Sequence, residues 1–281
     1  MTSKPTNYYR PATRDEALAL VGEPDAIAVA GGALLFGRLE LPYTTVIDLQ
    51  DVPELNEIAA DEHGVTIGAA VRLQDVVESD DVPAFLKRSL TRALPLNIRN
   101  GASVGESLML DQPPREWLAA LVAHDAGVLR LLPDGQPAAD GIASLMDGSS
   151  PHPLRTGLLT GIFIPSLGPR EAHGAAYVSR TPADEAIVNA AVHVQLNEAG
   201  LVDAAFAALC GASAQPVISL YLDTLTGNAL NEANIHRAAD SVPARVEPVS
   251  DFLGSAEYRR EMARVTVKRA LLEAASALGV L

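Results

Sequence analysis

Ile27-Ala28-Val29-Ala30-Gly31-Gly32-Ala33-Leu34-Leu35 is the stretch on which the reading of this chain turns. Four apolar residues run straight into two glycines, the pattern of a short buried strand that ends in a glycine turn. Without a Cβ, glycine takes positive φ and lets the backbone come close to a ligand. Successive N–H groups at such a turn can then surround a phosphate. Taken alone, a double glycine after an apolar run is an ordinary turn far more often than an anion cradle, so the weight must come from its surroundings.

Upstream, residues 11–21 read as a helix: Thr13 and Glu16 have capping-box spacing, Ala17, Leu18 and Val21 form the apolar side, and Gly22 ends it. Downstream, a second helix is predicted to start near Leu34, with strands at 46–49 and 65–69 and helices at 73–79 and 82–94. Residues 98–107 read as a second irregular, Gly/Ser-rich loop, and beyond Pro113-Pro114 lies an apolar helix, 116–123, in the same domain. From 128 to 165 short strands alternate with turns, among them 133–135 and 147–151. The stretch 165–173, containing Gly168-Pro169, is the expected domain boundary. Strands at 186–196 and 201–209, joined by a turn at 197–200, and a long helix over 255–278 complete the chain.

The bulk properties narrow the function. With 281 residues the chain can bury two or three cores, and 48% hydrophobic against 20% charged residues is ordinary globular usage. Lys plus Arg number 21 against 35 Asp plus Glu, and the resulting net charge of -14 argues against a nucleic-acid partner. A single cysteine, Cys210, excludes an internal disulfide and cannot hold an iron–sulfur cluster, so any such cluster must sit on another chain. Cys210 itself, in Leu209-Cys210-Gly211-Ala212, reads as a small buried hydrophobe. His63, His124, His152, His173, His193 and His236 are scattered without the i, i+4 spacing of a helical metal pair, so no metal site is expected. Neither a secretory leader nor a span of roughly 20 apolar residues is visible, and the expectation is a cytoplasmic protein with no membrane partner.

The order of short motifs resembles the flavoprotein, or medium, subunit of carbon monoxide dehydrogenase and its xanthine-dehydrogenase-type relatives among the molybdenum hydroxylases. The resemblance rests on Tyr9-Arg10-Pro11-Ala12-Thr13 with Glu16-Ala17-Leu18, then Ala30-Gly31-Gly32, Val46-Ile47-Asp48-Leu49, Pro53-Glu54-Leu55 and Ile67-Gly68-Ala69. It continues through Ile98-Arg99-Asn100, Arg180-Thr181-Pro182-Ala183-Asp184 with Ile187-Val188, and Ser255 to Arg260 leading into Val267-Lys268-Arg269-Ala270-Leu271. It implies an α+β fold: a PCMH-type FAD-binding domain over 1–168, with subdomains of about 1–55 and 56–168, and a C-terminal α+β domain over 169–281 built on an antiparallel sheet with helices. The implied cofactor is FAD, held by Ala30, Gly31, Gly32, Ala33, Leu34 and Leu35 on the first loop and by Ile98, Asn100, Ser103 and Gly105 around the second, with Tyr177 beside the flavin ring. The implied partners are a molybdenum-cofactor large subunit and a 2Fe-2S small subunit, and the implied role is to pass electrons from those clusters to an external acceptor.

Both loops depart from the family pattern. Ala33 and Leu34 stand where a small hydroxyl residue and an acidic or polar one usually follow the double glycine. In the second loop Ala102, Glu106 and Ser107 replace the usual residues, Gln112 stands for an Asp, and Ser103 and Gly105 keep the chemistry. Glu106 brings a carboxylate towards an anionic dinucleotide. Two such charges ~4 Å apart repel by roughly 1 kcal/mol in water and roughly 4 kcal/mol at an effective dielectric of 20, a cost relieved only if Glu106 points away. Two other readings therefore stand beside the first. One is a stand-alone biosynthetic enzyme on the same fold that has lost FAD, pairs as a homodimer, and uses Glu106 as acid or base for proton-transfer or cyclisation chemistry on a small organic substrate. The other is a non-catalytic assembly subunit. Trp117 is expected in a core or domain interface, and Arg99 either orients the second loop or pairs with an acid.

Overall fold

A hydroxyl and a glutamate three residues apart start the first helix, α1 (Arg14–Val21). Thr13 accepts from the Glu16 N–H at 3.2 Å, and Glu16 reaches back to the N–H of Ala12 at 3.0 Å, one residue before the cap itself. The computed structural model describes residues 5–35, 43–110, 112–146, 154, 156–182 and 184–281. These fall into two compact units, the first comprising Met1–Pro113, Ala126–Leu145 and Ser149–Ser166, the second Pro114–Asp125, Met146–Gly148 and Leu167–Leu281.

In the first unit β1 (Asn7–Tyr9), β2 (Ala26–Val29) and β3 (Thr45–Asp48) make a parallel sheet in the order β1-β3-β2, with Tyr9 opposite Ile47 and Val29 opposite Asp48. Central parallel strands are covered on both faces, and every residue of β3 is buried. Ala17, Ala30, Ile47, Leu49, Leu55 and Leu158 share one apolar core, which ties α1 and this sheet to the larger sheet beside it. That sheet contains β4 (Ile58–Ala60), β5 (Gly64–Gly68), β6 (Gly127–Leu131), β7 (Pro137–Gly141) and β8 (Leu158–Pro165), antiparallel throughout in the order β4-β5-β8-β6-β7. Four short helices, α2 (Leu73–Glu78), α3 (Ala84–Ala93), α4 (Leu96–Gly101) and α5 (Val104–Leu108), follow β5, and a single turn, α7 (Ile142–Leu145), follows β7.

The last two correct the reading of residues 98–107 as irregular. Pro95 opens α4, Arg99 donates its N–H to the Pro95 carbonyl at 3.1 Å, and the Ala102 N–H closes the helix on Ile98 at 2.9 Å. Only Ala102 and Ser103 separate it from α5, where the Ser103 Oγ accepts from the Glu106 N–H at 3.2 Å. Leu34 and Leu35 lie in a turn; the remainder of the helix predicted there, the turn at 147–151 and Ala183 fall on or run into residues outside the described set.

In the second unit β9 (Glu171–Val178), β10 (Val188–Leu196), β11 (Val202–Cys210) and β12 (Ile218–Tyr221) form an antiparallel sheet in the order β12-β11-β10-β9. The long α9 (Ala256–Ala277) lies against it so closely that a Cβ on Gly174 would sit 2.0 Å from the Ala270 carbonyl. A further helix, α8 (Glu232–Asp240), packs on α9. The apolar α6 (Arg115–Ala123) also belongs here, packed against β10 and β11. All its residues from Glu116 to Ala123 are buried, and a helix apolar all round has to be covered on every side.

Candidate functional site: a backbone nest filled by Glu106

Strand β2 delivers Ala30 into two residues that only glycine fits. Gly31 has φ +109 and Gly32 φ +84, and a Cβ on Gly31 would lie 2.2 Å from the Gly101 carbonyl oxygen. The backbone of the double glycine is thereby pressed against the end of α4, and the Ala33 N–H donates to the same Gly101 carbonyl at 3.2 Å. With Ala33 so engaged, the next two N–H groups, of Leu34 and Leu35, point the same way. Successive N–H groups converging on one spot form a concavity that favours an anion.

The second loop sits on the continuation of β5. The Val104 N–H donates to the Val71 carbonyl at 2.9 Å, the Gly105 N–H to Ala69 at 2.8 Å, and the Leu73 N–H to Ala102 at 2.9 Å. Its own main-chain donors are thus largely consumed in fixing its place. A Cβ at Gly105 would come within 3.0 Å of the Ala69 carbonyl, so glycine permits this close approach. Arg99, buried in α4, gives its Nε–H to Gln74 Oε1 at 2.9 Å and its Nη1 to the carbonyls of Leu94 and Thr91; it holds the helices together through neutral acceptors. Ile98 is half-buried and Asn100 exposed on the same helix.

Glu106 does not point away. Its Oε1 accepts from both the Leu34 and the Leu35 N–H at 2.7 Å, so the carboxylate of the second loop fills the nest of the first. The residue is 4% exposed, and Oε2 is buried with no hydrogen-bond partner among the described residues. Burial pushes its carboxyl above the usual glutamate range, against the N–H groups of Leu35, Leu34, Ser103 and Gly32, which pull it down; among the described residues no charged side chain opposes the burial. The same glutamate was named for acid–base work on a free substrate, but one of its oxygens is committed to main chain. Beside it, β2, Ala69, Leu154, Leu158 and Leu159 wall a small hollow that opens to solvent.

Of the named residues, the structure brings together Ala30, Gly31, Gly32, Ala33, Leu34, Leu35, Ser103, Gly105 and Glu106, with Ile98 and Asn100 on the helix that abuts them. Tyr177 belongs to the second unit, on β9, with its ring 40% exposed. Trp117 is fully buried in α6, and Cys210 is buried with its thiol pushed up by desolvation and donating to the Arg115 carbonyl at 3.4 Å. The histidines are less scattered than their spacing suggests. His173 and His193 face each other across β9 and β10, and His124 stacks on His173 with ring centroids 4.4 Å apart. The His173 Nε2 lies 3.0 Å from the Ala123 carbonyl, and burial, with His124 and His193 nearby, lowers its pKa to about 3. Among the described residues no group of three or more His, Cys, Asp or Glu could hold a metal ion, and no helix is long and apolar enough to cross a membrane.

Glu106 had a sequence signal that the reading overlooked. Ser103-Val104-Gly105-Glu106 has capping-box spacing, which places the carboxylate over the start of α5, close to the Ser103 N–H.

Comparison with known proteins agrees with this geometry. Residues 4–167 match the family described as the FAD binding domain in molybdopterin dehydrogenase, and residues 175–274 the carbon monoxide dehydrogenase flavoprotein C-terminal domain. The chain is 29% identical to the carbon monoxide dehydrogenase medium chain of Afipia carboxidovorans, over 94% of this chain and 95% of that one. It is 25% identical to the glyceraldehyde dehydrogenase medium chain of Sulfolobus acidocaldarius, over 96% and 98%. Among solved structures, the carbon monoxide dehydrogenase of Hydrogenophaga pseudoflava superimposes with a TM-score of 0.87 at 26% identity, covering 98% of this chain and 99% of that one. With a glycine nest at the end of β2 and both family domains in order along one chain, this protein belongs to the FAD-binding medium subunits of the molybdenum hydroxylases.

Proposed function

We propose that this chain carries FAD as the electron-transfer subunit of a cytoplasmic molybdenum hydroxylase complex, taking electrons from a 2Fe-2S small subunit, fed by a molybdenum-cofactor large subunit, and passing them to an external acceptor. The observation that carries the reading is the nest itself: two adjacent N–H groups behind a double glycine hold an anionic oxygen at 2.7 Å. Chemically this is what a dinucleotide pyrophosphate requires, and it fits the cofactor of the family. The present occupant is a carboxylate of the chain, so the donors suit the phosphate while Glu106 has to vacate them.

Bound FAD would supply the two-electron centre of the subunit. The chain's own task is to bind and orient. The N–H groups of Gly32, Leu34 and Leu35 would meet the phosphates, with Ser103 adding a hydroxyl and Gly105 holding α5 at the closest approach. Ala30, Ala33 and the apolar walls of the hollow would exclude water, and Ile98 and Asn100 would border the site from α4.

The test is co-expression with the two partner chains, followed by the visible absorption spectrum and identification of any released nucleotide. One FAD per chain, bleached when the substrate of the large subunit is added without acceptor, is the expected result. A colourless complex that takes up no FAD would overturn the reading.

A further inference from the structure

We propose that Glu106 is a chain-borne ligand of the flavin nest: in the flavin-free protein its carboxylate stands where a pyrophosphate oxygen will lie, and FAD binds by displacing it. The inference rests on the flavin-carrier reading above and adds a competitor to it.

Four observations support the displacement. The Leu34 and Leu35 N–H groups belong to residues 5% and 7% exposed, so they need an acceptor whether or not flavin is present, and Glu106 Oε1 is the one they have. The carboxylate is poorly matched in return: among the described residues Oε2 is buried without a partner and no cation pairs with the group, and burial outweighs the N–H groups in setting its protonation. A better acceptor can therefore replace it. Its departure need not unfold the loop, because α5 is capped through the Ser103 Oγ and the Glu106 main-chain N–H, with Val104 and Gly105 anchored on Val71 and Ala69. Finally, the side chain borders the hollow into which a ligand would come.

The experiment compares the full-length flavin-free chain with Glu106→Gln and Glu106→Ala, titrated with FAD, ADP and riboflavin and followed by equilibrium dialysis. Both variants are expected to bind FAD and ADP at least about tenfold more tightly than the parent, since a charged competitor for two hydrogen bonds is gone. Riboflavin, which has no phosphate, should be unaffected. Hydrogen exchange gives a second readout that needs no ligand: the Leu34 and Leu35 amides should be protected in the parent, exchange faster in Glu106→Ala, and regain protection with FAD. Folded variants that bind FAD no more tightly than the parent, or amides that exchange alike in parent and Glu106→Ala, would overturn the displacement while leaving the flavin-carrier reading standing. Failure of all three proteins to bind FAD, alone or with partner chains, would overturn that reading and this inference with it.

Discussion

Each unit buries an ionisable group under a different regime. In the second unit Arg259 is 2% exposed, yet it donates through Nη1 to the carbonyls of Ile187 at 2.6 Å and Gly211 at 3.2 Å and through Nη2 to Asp251 at 2.6 Å, with Nε left without a partner among the described residues. His173, stacked among His124 and His193, meets burial by staying neutral. Among the described residues Glu106 in the first unit has neither remedy, with one oxygen idle and no counter-charge. A buried charge that is satisfied and paired is a structural fixture, because removing its partners strands it. A charge left half-satisfied on a set of donors that suits a different ligand marks a place where something is exchanged. The contrast separates scaffold from site without reference to any relative.

The histidine stack gives the largest test of it. His173 has a folded pKa of about 3 against an ordinary 6.5, so the unfolded chain binds the extra proton between those values and stability is lost as pH falls through that window. The slope should approach about 1.4 kcal/mol per pH unit. Urea unfolding at pH 7, 6, 5 and 4 should show it, and His173→Gln should flatten it; an unchanged slope would mean that this histidine is not held neutral.

Arg259→Met should cost about 2–4 kcal/mol in the unfolding of the second unit, from lost charged hydrogen bonds and a stranded Asp251. A cost near zero would break the comparison by making Arg259 as dispensable as Glu106. Gly31→Ala should cost about 1–3 kcal/mol through its positive φ and the Gly101 carbonyl, and should abolish FAD binding even when combined with Glu106→Gln. Retention of FAD by that double variant would mean that the nest is not the phosphate site.

The smallest effect is the most diagnostic. Glu106→Gln should change stability at pH 7 by about 1 kcal/mol or less, in either direction, whereas a fixture would lose much more. The sign of its pH dependence is opposite to that of His173. With the folded carboxyl raised above 4.5, the folded state keeps a proton that the unfolded chain releases, so the parent should gain stability relative to Glu106→Gln as pH falls towards 4.5. A relative loss over that range would show that the N–H groups prevail over burial.

Much of this was legible in the sequence where the signals are local. Thr13 with Glu16, the run from Ile27 into Gly31-Gly32, and Ser255 ahead of the closing helix carry their own caps and turns, and each lies where its pattern places it. Pro95 and Gly101 were equally local signals for α4, but the Gly/Ser content of the neighbourhood obscured them. What could not be read depends on distant pairings. The contact of Glu106 with Leu34 spans 72 residues, and the meeting of His173 with His193 follows from antiparallel register between β9 and β10. Similarly, nothing inside 115–123 says that its main partners are the strands β10 and β11, which start only at Val188 and Val202.

Glu106 is held in an ordinary helical turn, with no glycine-only backbone angle and with its cap provided by a neighbour. In coding terms glutamate and glycine are a single base apart. A gene of this kind can therefore acquire or discard its own competitor for flavin in one mutational step while the fold stays intact. Selection could then tune the cofactor occupancy of the subunit independently of the architecture that holds it.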